Sequence, residues 1–266
     1  KQITRDDLIG FHREHFFPAN IILALSGDIS KEEAINKIRQ YFGHWKDSRQ
    51  AISIVPPPKE PGHGLFFIRK QIPQSTLVSG EFTLSKNHPD FYAFSILDFI
   101  IGSGGFPSKI FSAVRNNEGL AYSAGSFYRA RSNYGVFGTY AFTKTASTFQ
   151  ALHLMNSILD DVAAGSVSQD ELDWAKKSLL NGFIFSFEQP DQIAYQQMTI
   201  AFEKLPDDYL INYRKRIEAV ACKDLKRVAG KYLNAKRRLT IIVGNTDQFG
   251  KLPEQWEQPI FILPQQ

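Results

Sequence analysis

Residues 121–142, AYSAGSFYRARSNYGVFGTYAF, decide how this chain folds. Two runs, 121–131 and 134–142, alternate in polarity on either side of Ser132-Asn133. Alternation with period two turns one set of side chains inward and the other outward, and a short polar break between two such runs predicts a hairpin. Downstream the period becomes helical. Helices are predicted over 145–164, 168–187, 191–204, 207–219 and 223–233. Ser168 with Glu171 three residues on is a capping box that fixes the start of the second. Upstream, 65–69 and 76–83 read as strands, 89–101 as an apolar helix and 108–116 as a short one; a strand at 239–243 closes the series. Strands and helices come in blocks, which predicts an α+β fold with a largely antiparallel sheet and packed helices, not a doubly wound one.

Composition narrows the class further. The 266 residues are 43% hydrophobic and 22% charged, and 22 Phe, 10 Tyr and 3 Trp supply too much buriable surface for a disordered chain. The most apolar stretches, 21–25 and 99–101, fall far short of the ~20 residues that a bilayer span needs, so no membrane span is expected. Net charge is only +4. The densest basic runs, Arg214-Lys215-Arg216 and Lys236-Arg237-Arg238, are short, and each reads as solvated surface at an element end; nucleic acid is not an expected partner. A single cysteine, Cys222, excludes an intramolecular disulfide and a cysteine-built zinc cage. The sequence begins at Lys1 with no charged-then-apolar leader, so it reads as a fragment or processed product, and no compartment follows from it.

Self-similarity sets the organisation. Residues 4–28 align without gaps on 221–245, placing Asp7 on Asp224, Leu8 on Leu225 and Gly27 on Gly244 at an offset of 217. Both stretches read as amphipathic helix, turn, apolar strand, then Gly before Asp or Asn. The expectation is that 1–55 is the tail of a preceding repeat, 56–62 a proline-rich linker held extended by its prolines, 63–248 a complete repeat and 249–266 a C-terminal extension. About 190 residues of the preceding repeat would lie upstream. Within the tail, Ser30 and Glu33 open a helix over 31–42.

Several chemical motifs fail on spacing. His12-Arg13-Glu14-His15 puts its histidines three apart with the glutamate between them, whereas a zinc-protease helix needs them four apart with the glutamate beside the second. At the repeat offset they align with Ala229 and Tyr232, and a polar helix end is the reading adopted. His44, His63, His88 and His153 have no Glu or Cys at ligand spacing, so no metal is expected on this chain. No Gly-x-Ser-x-Gly elbow is present. Gly102-Ser103-Gly104-Gly105-Phe106-Pro107 lacks the third glycine of a dinucleotide fingerprint and the Gly-Lys-Ser/Thr of a P-loop. What remains is either a helix-to-helix turn or a loop whose bare backbone approaches a ligand through Gly102, Gly104 and Gly105.

The loop runs into SKIFSAVRNNEGLAYS, residues 108–123, in which Arg115 and Tyr122 stand seven apart across a helix–strand junction. By residue type alone, Arg115 is a surface cation at a helix end and Tyr122 a half-buried strand aromatic. The order of glycine loop, apolar helix and Arg-x-x-x-Gly-Leu-Ala-Tyr resembles the second-half signature of the insulinase/pitrilysin (M16) family of zinc peptidases, which includes the mitochondrial processing peptidase. Phe-Phe-Pro-Ala-Asn at 16–20, leading to Gly27-Asp28, resembles the end of that family's first half, so the resemblance covers nearly the whole chain.

The resemblance implies tandem α+β halves closing like a clamshell around a peptide substrate. It places the zinc helix, His-x-x-Glu-His, in the other half, upstream or on a separate catalytic subunit. The apolar helix of this chain has Asp90 and Asp98 and no such motif. Zinc would then belong to the complete enzyme, a zinc metalloendopeptidase, and this chain alone would be inactive. Arg115 and Tyr122 would donate to substrate carbonyls and the transition state, with Gly102, Gly104 and Gly105 along the peptide. A homo- or heterodimer and a bacterial cell-envelope location are what the resemblance favours. The alternative is a catalytically inactive scaffold subunit of the same family.

Overall fold

A computed structural model of the chain describes residues 2–52, 62–234, 237–253, 256 and 258–262. In chain order the main elements are α1 (Arg5–His15), α2 (Lys31–Phe42), β1 (Gly64–Arg69), β2 (Gln74–Thr83), α3 (Phe91–Asp98), β3 (Ala121–Ala130), β4 (Gly135–Lys144), α4 (Thr148–Ala163), α5 (Gln169–Ile184), α6 (Pro190–Glu203), α7 (Tyr209–Ala219), α8 (Cys222–Tyr232), β5 (Leu239–Gly244) and β6 (Ile260–Phe261). They gather into two compact units, one of residues 1–56 and 182–209, the other of 57–181 and 210–266. The stretch 182–209, read from sequence as part of the span 63–248, thus clusters with the first unit.

The larger unit is built on a six-stranded sheet ordered β3-β4-β2-β5-β1-β6. The hairpin read at 121–142 forms: β3 and β4 pair antiparallel from Ala130 opposite Gly135. β4–β2 and β2–β5 are antiparallel as well, while β5–β1 and β1–β6 are parallel. Alternation is carried through the strands. Leu65, Phe67, Leu77, Phe137, Ala141 and Ile242 are buried, whereas Val78 and Phe142 between them are exposed. Phe67 packs on Phe149 of α4 with ring centroids 6.1 Å apart and meets Phe249 edge-on at 5.4 Å. Hydroxyls in this layer satisfy one another: Ser79 and Thr240 bond at 2.9 Å, and Thr148 donates to Ser75 at 2.9 Å. Satisfied pairs of this kind are what permit polar groups in a core.

Helices α3 and α8 pack together over this sheet. Their junction is closed by Asp90, which accepts from both terminal nitrogens of Arg227 at 2.6 and 2.9 Å and from the Tyr232 hydroxyl at 2.9 Å. These bonds, Arg227 foremost, hold the Asp90 carboxyl down to about 2. Both predicted capping bonds at Ser168 form, Ser168 N–H to Glu171 at 2.8 Å and Glu171 N–H to the Ser168 hydroxyl at 3.1 Å.

The internal repeat has a direct structural counterpart in its helices. α1 and α8 occupy the same eleven positions at the offset of 217 (5 to 222, 15 to 232). Asp7 and Asp224 take the same part, each accepting the backbone N–H three residues before it, from Thr4 at 2.8 Å and Ala221 at 2.9 Å. The strands do not match. β5 lies between β1 and β2, but the predicted strand at 21–25 forms no ladder among the described residues. A strand exists only where a partner backbone takes up its N–H and C=O groups, and none does here. The same contrast marks the helices: Leu225 is fully buried and its aligned residue Leu8 is 62% exposed.

Two further readings change, and a third falls outside the described residues. The predicted linker 56–62 lies, but for Gly62, outside the described residues. The helices read at 89–101 and 108–116 both pass into wider π turns, over Phe99–Ser103 and Phe111–Asn117. And Arg238, read with its neighbours as solvated surface, is buried, its side chain only 6% exposed; Lys236 is outside the described residues. A basic run reads as surface because cations avoid the interior, but Glu81 lies beneath Arg238 at 3.7 Å and makes burial tolerable.

Candidate functional site

The glycine loop, the π-helical segment after it and the start of β3 bring Arg115 and Tyr122 together at one edge of the sheet. Two local irregularities do this. In Phe111–Asn117 the Glu118 N–H reaches back five residues to the Ala113 carbonyl, at 3.1 Å, so the turn is wider than an α turn and Arg115 is redirected. In β3 the register passes from Ala121 opposite Thr143 to Ser123 opposite Phe142, which leaves Tyr122 on a bulge with no cross-strand residue. A bulge re-aims the side chain it holds, and Tyr122 stands 78% exposed with its hydroxyl unpaired among the described residues.

The Arg115 guanidinium sits among three rings. Its central carbon is 4.9 Å from the Phe111 centroid, 5.2 Å from Tyr122 and 5.5 Å from Phe106. All lie within the ~6 Å over which a cation is attracted to a ring face, each contact contributing roughly 0.5–1 kcal/mol at an exposed site. Among the described residues Arg115 has no hydrogen bond or ion pair, so its N–H fork is open to a ligand. Rings position the cation without satisfying its donors. Phe106 and Phe111, which supply two of the three rings, were not singled out from sequence; the signal available was an aromatic four residues before Arg115 on the same helix, Phe111.

The loop behind this cluster is held by buried contacts. Ser108, itself fully buried, donates to the Gly105 carbonyl at 2.6 Å. Lys109 pairs with Glu171 of α5 at 2.6 Å. Burial opposes ionisation of Glu171, but the Lys109 ammonium and the Ser168 N–H outweigh it and its carboxyl lies below the ordinary value. The three glycines have different reasons. A Cβ on Gly102 would stand 2.2 Å from the Ser126 nitrogen and one on Gly104 2.6 Å from both the Phe99 carbonyl and the Trp174 ring, so these two let the loop pack on protein. Gly102 faces β3 and is buried there. Gly105 has φ +74° and open space around it, the backbone conformation that favours glycine.

Asp98, at the last turn of α3, fixes the loop to β3. Its carboxylate accepts from the Ser126 hydroxyl at 2.6 Å, and it is 6% exposed. Burial pushes its carboxyl up to about 6, against the pull of hydrogen bonds from Ser126, Ser103 and the Tyr128 backbone. The histidines do not assemble: His12 and His15 of α1 stack on Phe16 and Phe11 at 4.8 and 4.1 Å. No group of three or more His, Cys, Asp or Glu among the described residues could hold a metal ion, so zinc does not fit the side chains described. No helix among the described residues is long and apolar enough to cross a membrane.

A helix-covered mixed sheet thus carries an arginine without a hydrogen bond and an exposed tyrosine at its edge, with no cluster of metal-ligating side chains among the described residues. The chain belongs to the M16 peptidase family: the family's "peptidase M16 inactive domain" matches residues 2–179. An uncharacterised zinc protease of Streptomyces coelicolor is 25% identical over 256 residues, 90% of this chain and 53% of that protein. A probable mitochondrial-processing peptidase subunit beta of Schizosaccharomyces pombe is 25% identical over 263 residues, 93% of this chain and 56% of that protein. The crystal structure of a peptidase M16 inactive domain from Pseudomonas fluorescens superposes with a TM-score of 0.80 at 25% identity, covering 91% of this chain and 58% of that one. The chain thus spans about half the length of the curated relatives it matches.

Proposed function

We propose that this chain is the substrate-binding C-terminal portion of a zinc-dependent endopeptidase, completed by a zinc-bearing half that precedes it or sits on a separate subunit, with the peptide enclosed between the halves. The observation that carries this reading is the open N–H fork of Arg115, held 5.2 Å from the ring of an exposed Tyr122 whose hydroxyl is also unpaired among the described residues. A planar guanidinium whose faces are covered by rings offers its donors in plane, where a peptide carbonyl or a carboxylate accepts two at once. The Tyr122 hydroxyl donates to the carbonyl oxygen as water adds to it, a donor fixed before charge develops. In this reading the metal and the general base are supplied by the other half. The names of the zinc protease and processing-peptidase relatives support the class of reaction.

In this reading 1–55 is the end of the zinc-bearing half and its exposed Leu8, Phe11 and Ile22 pack against the rest of that half. Gly105 lies along the peptide, while Gly102 and Gly104 serve the packing of the loop. The test is peptide hydrolysis by the complete protein with Arg115→Ala and Tyr122→Phe combined. Loss of at least about a hundredfold in kcat/KM with an unchanged fold is expected; full turnover by the double variant would overturn the site assignment, and no hydrolysis by the unaltered complete protein would leave a scaffold subunit.

A further inference from the structure

The two faces of the sheet differ in burial, and the less buried one runs up to Tyr122. On it, cross-strand register places Phe142 between Ser123 and Thr76, and in the next row Val78 between Tyr140 and Ile241. We propose, resting on the reading of Arg115 and Tyr122 as peptide donors, that Phe142, Tyr140 and Val78 set specificity: they receive side chains of the bound peptide beside the scissile bond and select aliphatic and aromatic ones over charged ones.

The alternation of the strands separates the faces. Ala124, Ala141, Leu77 and Ile242 pair in the row between these two and are at most 1% exposed. Their chain neighbours point the other way, and Phe142 and Val78 keep 39% and 37% of their surface exposed. No residue of the two outward rows carries a charge. The Phe142 and Tyr140 rings lie 5.9 Å apart, and Tyr140 leans over Gly125, where a Cβ would stand 3.3 Å from its hydroxyl. An apolar side chain laid on this floor gains from leaving water. A charged one loses its hydration and finds no opposite charge in return.

The polar groups at the rim decide what covers the floor. Ser123, opposite Phe142, follows Tyr122 directly, and cross-strand neighbours stand about 5 Å apart. In an extended peptide, side chains on one side recur every ~6.8 Å, two residues of ~3.4 Å each. Phe142 and Tyr140, two residues apart on β4, share that spacing. A carbonyl held by the donors of Arg115 and Tyr122 therefore lays alternate side chains of a peptide running along β4 over these rings. A second copy or a folded partner on the same face would bury the Arg115 fork and the Tyr122 hydroxyl and would have to bring an acceptor to each. A peptide backbone brings a carbonyl with every residue.

The test is a peptide series, hydrolysed by the complete protein, in which each residue flanking the cleaved bond is changed in turn to Leu, Phe, Asp or Lys. The parent should favour Leu and Phe over Asp and Lys in kcat/KM by at least about tenfold at one of these positions. In Phe142→Lys the same position should accept Asp about tenfold better relative to Leu, because the new ammonium pairs with the carboxylate. If that variant does not fold, Val78→Lys in the adjoining row takes its place. Hydrolysis with no side-chain preference, or with one that the lysine leaves unchanged, would overturn the inference and leave the donor roles of Arg115 and Tyr122 standing. A parent dimer that Phe142→Lys splits into monomers would overturn it too, since a second copy then covers the face. If no peptide is hydrolysed, the reading of Arg115 and Tyr122 fails, and fluorescence anisotropy with the same peptides, dye-labelled, decides the floor. Leu and Phe peptides should then bind at least about tenfold more tightly than Asp peptides, and equal or absent binding would overturn it.

Discussion

The guanidinium carbon of Arg115 lies 5.2 Å from the ring centroid of Tyr122, across a change from helix to strand and seven positions of sequence. Neither residue is placed by regular structure. Arg115 owes its direction to a π turn and Tyr122 to a bulge. Irregularities of this kind persist where the surrounding packing over-determines them. Here Val114, fully buried beside Arg115, and Leu120, buried two residues before Tyr122, fix both segments to the core. The backbone on either side is therefore anchored in the core, while the polar atoms of both residues are unpaired among the described residues.

If Tyr122 donates to a developing oxyanion, Tyr122→Phe removes only an exposed, unpaired hydroxyl. Stability should stay within about 0.5 kcal/mol of the parent, as for surface changes generally. In the complete protein, kcat on a peptide substrate should fall by roughly 10²–10³ with KM little changed. An unchanged kcat would remove Tyr122 from the chemistry. Arg115→Lys offers a sharper contrast than Arg115→Ala, because it keeps the charge and the ring contacts but loses the planar fork. Steady-state kinetics should then show a raised KM.

Two glycines of one loop should respond differently to alanine. At Gly102 the new methyl would stand 2.2 Å from the Ser126 backbone nitrogen, which cannot move without displacing β3. Gly102→Ala is expected to cost about 2–4 kcal/mol and to perturb the Asp98–Ser126 bond. At Gly105 the space is open and only φ +74° resists, so Gly105→Ala should cost about 1–2 kcal/mol. Denaturant unfolding of the two variants measures the difference. Equal costs would mean that the close approach of the loop to β3 is not maintained in solution.

Asp90 joins α3 to α8 through Arg227 and Tyr232. Its depressed carboxyl, about 2 against the ordinary 3.8, means that the folded protein gives up the proton more readily than the unfolded chain. The stabilisation is present above pH ~4 and is lost as pH falls from about 4 to about 2. Asp90→Asn should lower stability by about 2 kcal/mol at pH 7, and the gap between parent and variant should close through that window. Chemical unfolding at pH 7, 4 and 2.5 reads it; a gap independent of pH would mean that charge is not what Asp90 contributes.

How far the sequence carried this reading depends on the kind of interaction. The hairpin of β3 and β4 was legible because alternation and a polar break are local properties of 121–142. The sheet order was not, since the parallel pairing of β1 with β5 joins segments 175 residues apart, Gly64 to Leu239. The apolar run at 21–25 has the composition of β5 but no partner strand, and composition cannot report a partner. A motif singles out Arg115 and Tyr122, and the structure brings them together; it does not point to Phe106, whose contact with Arg115 arises only when the loop folds back. Arg238 was misread for the same reason: Glu81, 157 positions before it, is what permits its burial.

Asp98 titrates in the opposite sense to Asp90 on the same helix. Burial raises its carboxyl to about 6, so the folded protein binds that proton more tightly than the unfolded chain, whose value is near 3.8. Above pH ~6 the native state therefore holds an unfavourable buried charge in full. Between about pH 6 and pH 4 the folded protein takes up the proton first, and stability rises as pH falls. Asp98→Asn keeps an acceptor for the Ser126 hydroxyl and removes the charge. It should stabilise the protein by about 2 kcal/mol at pH 8, with the advantage shrinking to nothing near pH 4. Because Ser126 lies on β3, four residues beyond Tyr122, hydrolysis by the complete protein should be retained in this variant if Asp98 serves only to anchor the strand. Thermal unfolding from pH 4 to pH 8 beside a peptidase assay separates the two roles: a variant that is stabilised but inactive would move Asp98 from the scaffold into the chemistry.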